Sequence, residues 1–250
     1  MKQHDKPKGS FFTETFKTLI YAGLLALVFR TVAYEPFNIP SESMLPNLLI
    51  GDYLFVSKPS YGYGMYSPPL PVKALENRLF FTPPLRGDII VFRPVSRPDV
   101  SYIKRLIGLP GDTVQVRDSI LYLNGEAVPR AAITDYVHER RPGGLPEPIP
   151  TFTETLPGGK AYTILEMDGD MGGLDNTPVF KVPPGHYFFM GDNRDRSADS
   201  RDPSVGFVPE ANLVGRADIL FFSGKPEVAF WEFWKWPFAV RYDRLLHRLN

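Results

Sequence analysis

The stretch that decides the fold is Val100–Asp112, VSYIKRLIGLPGD, a short apolar segment that runs into a glycine and a proline. If Val100–Ile107 is an extended strand, successive side chains alternate between its two faces. Lys104 and Arg105 then point to opposite sides, and each has apolar neighbours on its own face. A buried lysine in such surroundings loses its proton more readily than a free one. The alternative is a solvated lysine that protects a sheet edge.

Short strand-like segments of the same kind recur along the chain, separated by glycine, proline and asparagine. They are Tyr53–Ser57, Asp88–Arg93, Thr113–Arg117, Ile120–Leu123, His186–Met190 and Ala217–Phe222. Asn124-Gly125 follows ILYL and predicts a type I′ hairpin. After residue 34 no long segment has the 3.6-residue period of a helix. We therefore predict a mainly β fold, with antiparallel sheets forming a β-barrel-like core and a smaller β-rich insertion around Arg130–Lys181, which is rich in Pro, Gly and charge.

The composition excludes several classes of function. The 28 basic and 28 acidic side chains balance, so nothing favours a nucleic-acid partner. The chain has no cysteine, which excludes disulfides, a thiol nucleophile and thiolate metal sites. The four histidines are scattered, and Asp168-Gly-Asp170 begins like a calcium loop but lacks later ligands. We predict no metal and no cofactor.

The N-terminal segment Leu19–Phe29 is apolar and uncharged. Four lysines precede it, and no Lys or Arg occurs between Arg30 and Lys58, which predicts a cytoplasmic N-terminus and an exported remainder. Two alternatives remain open. The segment is a retained transmembrane anchor, since apolar residues extend it to over twenty positions, or it is a signal peptide cleaved after Ala33.

Two further segments are candidates for chemistry. In Ile39–Pro46, IPSESMLP, Ser43 lies between two prolines that restrict the backbone, which suits a fixed nucleophile or a plain turn. Met190–Arg201, MGDNRDRSADSR, is a solvated loop or a polar network that orients a neighbour. No Ser/His/Asp spacing is evident, so a catalytic serine needs another base, and lysine is a known variant.

Taken together, these segments resemble bacterial type I signal peptidase, a serine protease with a Ser-Lys dyad that removes signal peptides from exported proteins. The resembling stretches occur in the family's order and cover roughly half of the chain with the anchor. They are PSESMLP (40–46), RGDIIVF (86–92), YIKRLIGLPGD (102–112), GDNRDRSADSR (191–201) and GFVPEANLVGRA (206–217).

The resemblance implies a role for each matching residue. Ser43 matches the nucleophile, Lys104 the general base, Ser41 the side-chain donor of the oxyanion hole, and Ser197 the hydroxyl that orients the lysine. Asp199 and Arg201 match a supporting salt bridge. The positions lining the pockets for small substrate side chains at −1 and −3 are Ile39, Met44, Leu48 and Ile103. Glu42 stands where some members have glycine, and the chain shows one anchor where the better-known Gram-negative enzyme has two.

The expected organisation places a cytoplasmic N-terminus at 1–17, an anchor at 18–34, the first part of the catalytic core at 35–112, an insertion at 113–184, and the second part with a membrane-associating C-terminal segment at 185–250. The aromatic and basic residues of 230–249 suit a membrane interface, or a strand and short helix that cover the core. Expected partners are exported preproteins and the lipid bilayer, with the secretion machinery nearby, and the expected location is the bacterial cytoplasmic membrane with the catalytic domain outside. The alternatives are a specialised processing peptidase with the same dyad and a silent, membrane-tethered peptide-binding β-domain.

Overall fold

The computed structural model describes residues 8–68, 71–75, 77–138, 144–169, 172–228 and 231–249. Lys2, Lys6 and Asp170, which entered the predictions above, lie outside this part of the chain. Strands dominate the described residues. In chain order they are β1 Tyr34–Asn38, β2 Asp52–Ser57, β3 Ile89–Phe92, β4 Tyr102–Gly108, β5 Thr113–Arg117, β6 Ile120–Leu123, β7 Glu126–Ala127, β8 Arg130–Ala132, β9 Tyr136–His138, β10 Glu147–Ile149, β11 Thr151–Thr155, β12 Ala161–Leu165, β13 Phe180–Lys181, β14 His186–Met190, β15 Val208–Pro209, β16 Leu213–Ser223 and β17 His247–Arg248.

The N-terminal helix α1 spans Lys8–Val32, and its side chains from Phe12 to Arg30 are exposed. Its segment Phe12–Val32 is apolar, unburied and 21 residues long. At 1.5 Å per residue this segment extends about 31 Å, close to the ~30 Å hydrocarbon core of a bilayer. By length and composition, the predicted apolar N-terminal helix is therefore present. The only other α-helix in the described part of the chain is α2, Trp236–Ala239.

The main sheet has the strand order β1-β2-β16-β3-β4-β14-β15, with β17 added beside β16. Every pairing in it is antiparallel. The long central strand β16 shifts register against β2 between Ala217 and Ile219 and again between Leu220 and Phe222. Such bulges bend a strand and increase its twist, so the sheet curls into a half-barrel. The predicted mainly β, antiparallel, barrel-like fold is confirmed.

The residues after β4 build three smaller sheets, with strand orders β13-β5-β6-β7, β12-β11-β8 and β10-β9. The turn between β6 and β7 has positive φ angles at Asn124 (54°) and Gly125 (84°), as the predicted type I′ hairpin requires. For Arg130–Lys181 the sequence predicts a β-rich insertion but no individual strands. The structure finds the regular hairpin β11–β12 within that span.

The first strand, β1, contains Pro36 and is not among the strand-like segments predicted from the sequence. The structure shows it at the edge of the main sheet, paired on one side with β2. An edge strand tolerates proline because the missing N–H is not needed on its open side. Because β1 lies at the edge of the main sheet, the chain at its end, residues 37–41, can line one wall of a groove.

The core positions two functional segments. Apolar side chains from the turn after β1 pack with those of β2, β3 and β16, which fixes that turn on the sheet; they include Ile39, Met44, Leu48, Leu54, Val91 and Ala217. On the neighbouring strands, Phe92 and Phe189 stack with ring centroids 4.4 Å apart. That stack spans β4, the strand that carries Lys104, and fixes β14 on one side of it and β3 on the other.

Candidate active site

Ser43 lies in a compact turn that follows β1. The turn is closed by main-chain hydrogen bonds from Leu45 to Glu42 O (3.0 Å) and from Leu48 to Met44 O (2.9 Å). The side chains of Met44 and Leu48 are fully buried beneath it. Ser43 itself is only 6% exposed. The apolar anchors therefore hold the serine hydroxyl in a fixed, largely desolvated position.

Lys104 lies on β4, opposite Ile90 of β3. Its Nζ is 2.5 Å from the Oγ of Ser43 and donates to the main-chain oxygen of Ile103 at 3.0 Å. The side chain is 4% exposed. Two groups 61 positions apart in the chain are therefore joined directly.

Burial lowers the pKa of the Lys104 ammonium from 10.5 to about 8. The carboxylates of Asp199 and Asp192 act in the opposite direction, but they do not outweigh desolvation. A substantial fraction of the amine is therefore neutral near physiological pH. A neutral amine in contact with a hydroxyl is the arrangement that general-base activation of a serine requires.

Ser41 shares the turn with Ser43. Its hydroxyl is 3.3 Å from the Oγ of Ser43, and its side chain is exposed to the groove. A donor at this distance from the nucleophile can reach an oxyanion that forms on a carbonyl attacked by Ser43.

The loop 191–201 leaves β14 beside Lys104, because Met190 pairs with Arg105 of β4. Ser197 in this loop is 7% exposed, and its Oγ forms no hydrogen bond to Lys104, but its hydroxyl lies close enough to Asp199 to help lower the pKa of that carboxylate. The structure therefore brings Ser197 into the site without a direct bond to Lys104. Its predicted role of orienting the amine stays a prediction.

Asp199 and Arg201 form a buried pair behind Ser197. Arg201 donates to both carboxylate oxygens at 2.9 Å, and the Gly191 N–H donates to Asp199 Oδ2 at 2.9 Å. Burial alone would raise the pKa of Asp199, but the Arg201 guanidinium and these hydrogen bonds outweigh it and lower the pKa. The carboxylate stays ionised beside the lysine.

A second buried pair joins Arg105 to Asp192, and the sequence analysis gave neither residue a role. Arg105 donates through Nε and Nη2 to the two Asp192 oxygens, both at 2.7 Å. Asn47, in the turn of Ser43, donates to the same carboxylate at 2.7 Å. The N–H of Asn193 donates to the Ser43 carbonyl at 3.2 Å. Through these hydrogen bonds, the loop 191–201 holds the turn that carries Ser43 against β4.

An open groove of about 480 Å³ runs past the two side chains. One wall is 37–41 and the other is 100–104; its lining includes Ile39, Ser41, Ser43, Val91, Ile103 and Lys104. Of the four predicted pocket residues, Ile39 and Ile103 line the groove. Met44 and Leu48 lie in the core cluster directly behind Ile39. Their role in substrate selection stays a prediction.

The family model described as signal peptidase, peptidase S26, matches residues 12–222 of this chain. The chain belongs to that family. The match contains every predicted site residue and ends before the C-terminal segment. Signal peptidase S26 members are serine peptidases, so the resemblance on which the sequence analysis relied is confirmed, and so is the assignment of the chain as a hydrolase.

Individual relatives agree with this family. Signal peptidase I of Rickettsia typhi is 41% identical over 226 residues, which cover 88% of this chain and 83% of the relative. Signal peptidase I of Rickettsia canadensis is 40% identical over 226 residues, covering 88% and 82%. A crystal structure of a signal peptidase I from Enterococcus faecalis V583 is 33% identical and covers 54% of this chain and 97% of that one, with a TM-score of 0.31.

Proposed function

We propose that this signal peptidase S26 member is a membrane-bound endopeptidase that removes N-terminal signal peptides from exported preproteins, cutting after a small residue at −1. The observation that carries the proposal is the 2.5 Å contact between the Ser43 Oγ and the buried Lys104 Nζ. A serine hydroxyl at neutral pH is a weak nucleophile unless a neighbouring base removes its proton. Lys104 is that base.

The reaction begins when neutral Lys104 accepts the proton of Ser43 Oγ as the oxygen attacks the carbonyl carbon of the residue at −1. The Ser43 N–H and the Ser41 hydroxyl donate to the oxyanion that results. Lys104, now protonated, donates its proton to the leaving amine, and the C–N bond breaks. A water molecule then attacks the carbonyl carbon of the acyl-enzyme ester while Lys104 accepts a proton from that water. The bond between this carbon and Ser43 Oγ breaks, Lys104 returns the proton to Oγ, and the signal peptide leaves with a new carboxylate.

The buried pairs around the dyad supply rigidity and charge. Ser197 limits the positions that the Lys104 amine adopts, with the Asp199–Arg201 pair fixing the loop behind it. Holding reacting atoms in place removes an entropic part of the barrier. These residues are positioning residues in the proposed mechanism.

The preprotein lies extended between the walls 37–41 and 100–104 of the groove. An extended peptide satisfies its main chain by adding a strand, and side chains at −1 and −3 then point to the same wall. Ile39 and Ile103 line that space, with Met44 and Leu48 packed behind it. Because this wall is close-packed, a small side chain fits and a large one does not.

Membrane anchoring by α1 brings the groove to the lipid surface where a signal peptide emerges. The lysines before the apolar segment support an N-terminus in the cytoplasm and a groove outside the bacterial cytoplasmic membrane, near the secretion machinery. Exposed Trp231, Phe233, Trp234 and Phe238 suit the same interface. We propose that the chain is divided into a cytoplasmic N-terminus at 1–17, an anchor at 18–34, and a catalytic core whose two parts, 35–112 and 185–250, are separated by an insertion at 113–184.

The test is cleavage of a purified secretory preprotein by the full chain in detergent or lipid. We expect Ser43→Ala and Lys104→Ala to lose activity by about 10³-fold or more, since each removes a reacting group. Lys104→Arg fails too, because arginine does not give up its proton. Lys160→Ala is the matched control: Lys160 is another partly buried lysine, outside the groove, and its removal leaves cleavage intact.

Two results would contradict this proposal. A Lys104→Ala variant that cleaves at the wild-type rate would exclude the dyad. A wild-type chain that is not labelled at Ser43 by a serine-directed acylating inhibitor would indicate a silent peptide-binding domain. Cleavage of only one narrow substrate in a panel of preproteins would instead assign a specialised processing role.

A further inference from the structure

Three carboxylates converge at the loop 191–201, and none of them is among the residues that line the groove. Glu166 follows β12, Asp175 lies nine residues later, and Asp195 lies in the loop itself. One oxygen from each lies within 4.8 Å of the others. Main-chain hydrogen bonds of 2.9 Å from Leu165 to Asp192 O and from Arg194 to Leu165 O hold the two segments side by side.

Glu166 supplies an observation that is independent of this proximity. The residue is only 1% exposed, and its Oε2 has no hydrogen-bond partner among the described residues. Arg130 approaches the other oxygen, Oε1, at 3.5 Å. Buried polar atoms in native proteins are nearly always paired, and an unpaired buried carboxylate oxygen is costly. Glu166, which contributes an oxygen to the cluster, therefore has a buried oxygen without the partner that a bound cation would supply.

The two aspartates are held in place by single main-chain donors. Asp195 Oδ2 accepts from the Asp168 N–H at 2.7 Å, and Asp175 Oδ2 accepts from the Gly172 N–H at 2.5 Å. Gly172 lies against both carboxylates: a Cβ there would be 2.1 Å from Asp195 Oδ1 and 3.1 Å from Asp175 Oδ1. The absence of a side chain at this position leaves the carboxylates room to face one another.

We propose that Glu166, Asp175 and Asp195 form a structural site for one calcium ion. Carboxylate oxygens are the ligands that Ca²⁺ and Mg²⁺ prefer. Mg²⁺ gives up its water reluctantly and is seldom held by protein ligands alone, whereas Ca²⁺ accepts several carboxylates in a flexible geometry. Three carboxylates that lie within 4.8 Å of one another, two of them buried, therefore suit Ca²⁺ better than Mg²⁺. Water completes the coordination.

The site lies where an ion would stiffen the loop that packs beside the dyad. Asp195 lies between Asn193, which holds the Ser43 carbonyl, and Ser197. A cation shared by Asp195, Asp175 and Glu166 ties that loop to the end of β12 through ligands that the dyad chemistry does not use. The site also differs from the Asp168-Gly-Asp170 pattern that the sequence analysis rejected, since its ligands are far apart in sequence.

The experiment uses the full chain in detergent, stripped of metal with EDTA and dialysed. Isothermal titration with CaCl₂ should show one ion per chain, with a Kd of about 1 mM or tighter, and at least tenfold weaker binding of MgCl₂. At ten times the Kd, Ca²⁺ should raise the Tm by about 3–6 °C. Hydrogen exchange in 191–201 should slow in the presence of Ca²⁺.

Two charge-removing variants and one control complete the test. Glu166→Gln and Asp195→Asn should each lower the Ca²⁺ affinity at least tenfold and remove the Tm shift. If Glu166→Gln does not fold, the Ca²⁺ affinity and the Tm shift of Asp195→Asn test the proposal. Asp168→Asn is the matched control: its carboxylate pairs with Arg196 at 3.0 Å, and its removal should change the affinity less than threefold. No heat and no Tm shift in the wild type, or unchanged binding in both variants, would overturn the proposal. Because these readouts do not involve cleavage, they are independent of the proposed peptidase activity.

Discussion

Gly191 lies directly against Ser197. A Cβ atom on Gly191 would be 2.2 Å from the Ser197 Oγ and 2.5 Å from the main-chain oxygen of Ser43. Both distances are far below any normal contact, so the site is built around the absence of a side chain at residue 191. The Gly191 N–H also donates to Asp199. Residue 191 is therefore close to Ser197, to the main chain of Ser43 and to the Asp199 carboxylate.

Replacing Gly191 with alanine should therefore disturb catalysis. The added methyl group must displace Ser197 or the nucleophile turn, and a misplacement of about 1 Å can reduce turnover roughly 10²-fold. We expect kcat for preprotein cleavage to fall by about that factor, with a smaller change in KM. Gly173→Ala is the control, because a Cβ there meets nothing within 4 Å. Equal kcat values for the two variants would show that residue 191 tolerates a side chain.

The pH dependence of cleavage should follow the protonation of Lys104. Desolvation lowers the pKa of its amine to about 8, and only the neutral amine accepts the Ser43 proton. Activity should therefore rise with pH, with kcat/KM increasing roughly tenfold between pH 7 and pH 9. Lys160→Ala should have the same profile. A rate that is flat across this range, or that rises only near pH 10.5, would mean that Lys104 does not titrate as the base.

The same lysine should make the protein less stable at neutral pH. Below pH 8 the folded state holds a buried ammonium, whose unfavourable desolvation corresponds to about 3 kcal/mol for a pKa of about 8 against 10.5. Between pH 8 and 10.5 the unfolded chain keeps a proton that the folded chain has lost, so stability rises with pH. Lys104→Met should therefore be more stable by about 2–3 kcal/mol at pH 7, allowing for the lost hydrogen bond, and the difference should shrink toward pH 10.

Urea denaturation of the full chain in detergent at several pH values measures this difference. Lys181→Met, at an exposed position on β13, should change the free energy of unfolding by less than about 0.5 kcal/mol at every pH. A Lys104→Met variant that is less stable than the wild type at pH 7 would argue against a desolvated ammonium in the folded state.

The strands were predictable because their signals are local. The apolar segment of β4 and the Asn124-Gly125 turn depend on neighbouring residues only, and the structure contains both the strand and the hairpin. The short apolar runs of β3 and β14 were found for the same reason. The Ser43–Lys104 pairing was expected through the family resemblance, since a spacing of 61 positions carries no local signal.

The contacts missing from the sequence analysis are long-range and polar. Arg105 has apolar neighbours in sequence, and its bidentate partner Asp192 lies 87 positions away on another segment. No pattern in a single sequence shows which of many acidic residues a buried arginine will meet. Strand β1 was missed for a different reason: Pro36 is acceptable only because β1 is an edge strand, and edge position is a property of the finished sheet.

The C-terminal segment should contribute to catalysis although it lies beyond the matched residues 12–222. Arg244 donates from Nη2 to the Asn47 carbonyl at 2.9 Å and to the buried Asp52 at 2.6 Å. Asp52 Oδ2 also accepts from the Leu49 N–H at 2.8 Å. Arg244 thus holds the end of the turn that carries Ser43.

Arg244→Ala should loosen that turn. Hydrogen bonds to charged groups contribute about 1.5–3 kcal/mol each, so we expect a loss of stability of about that size and a roughly tenfold fall in kcat, with KM little changed because the groove walls stay in place. Arg248→Ala, which removes an exposed arginine four residues later, should leave both quantities unchanged. Steady-state cleavage and thermal unfolding of the two variants measure the effect. If Arg244→Ala lowers the Tm while kcat stays at the wild-type value, the C-terminal segment stabilises the fold without positioning the serine.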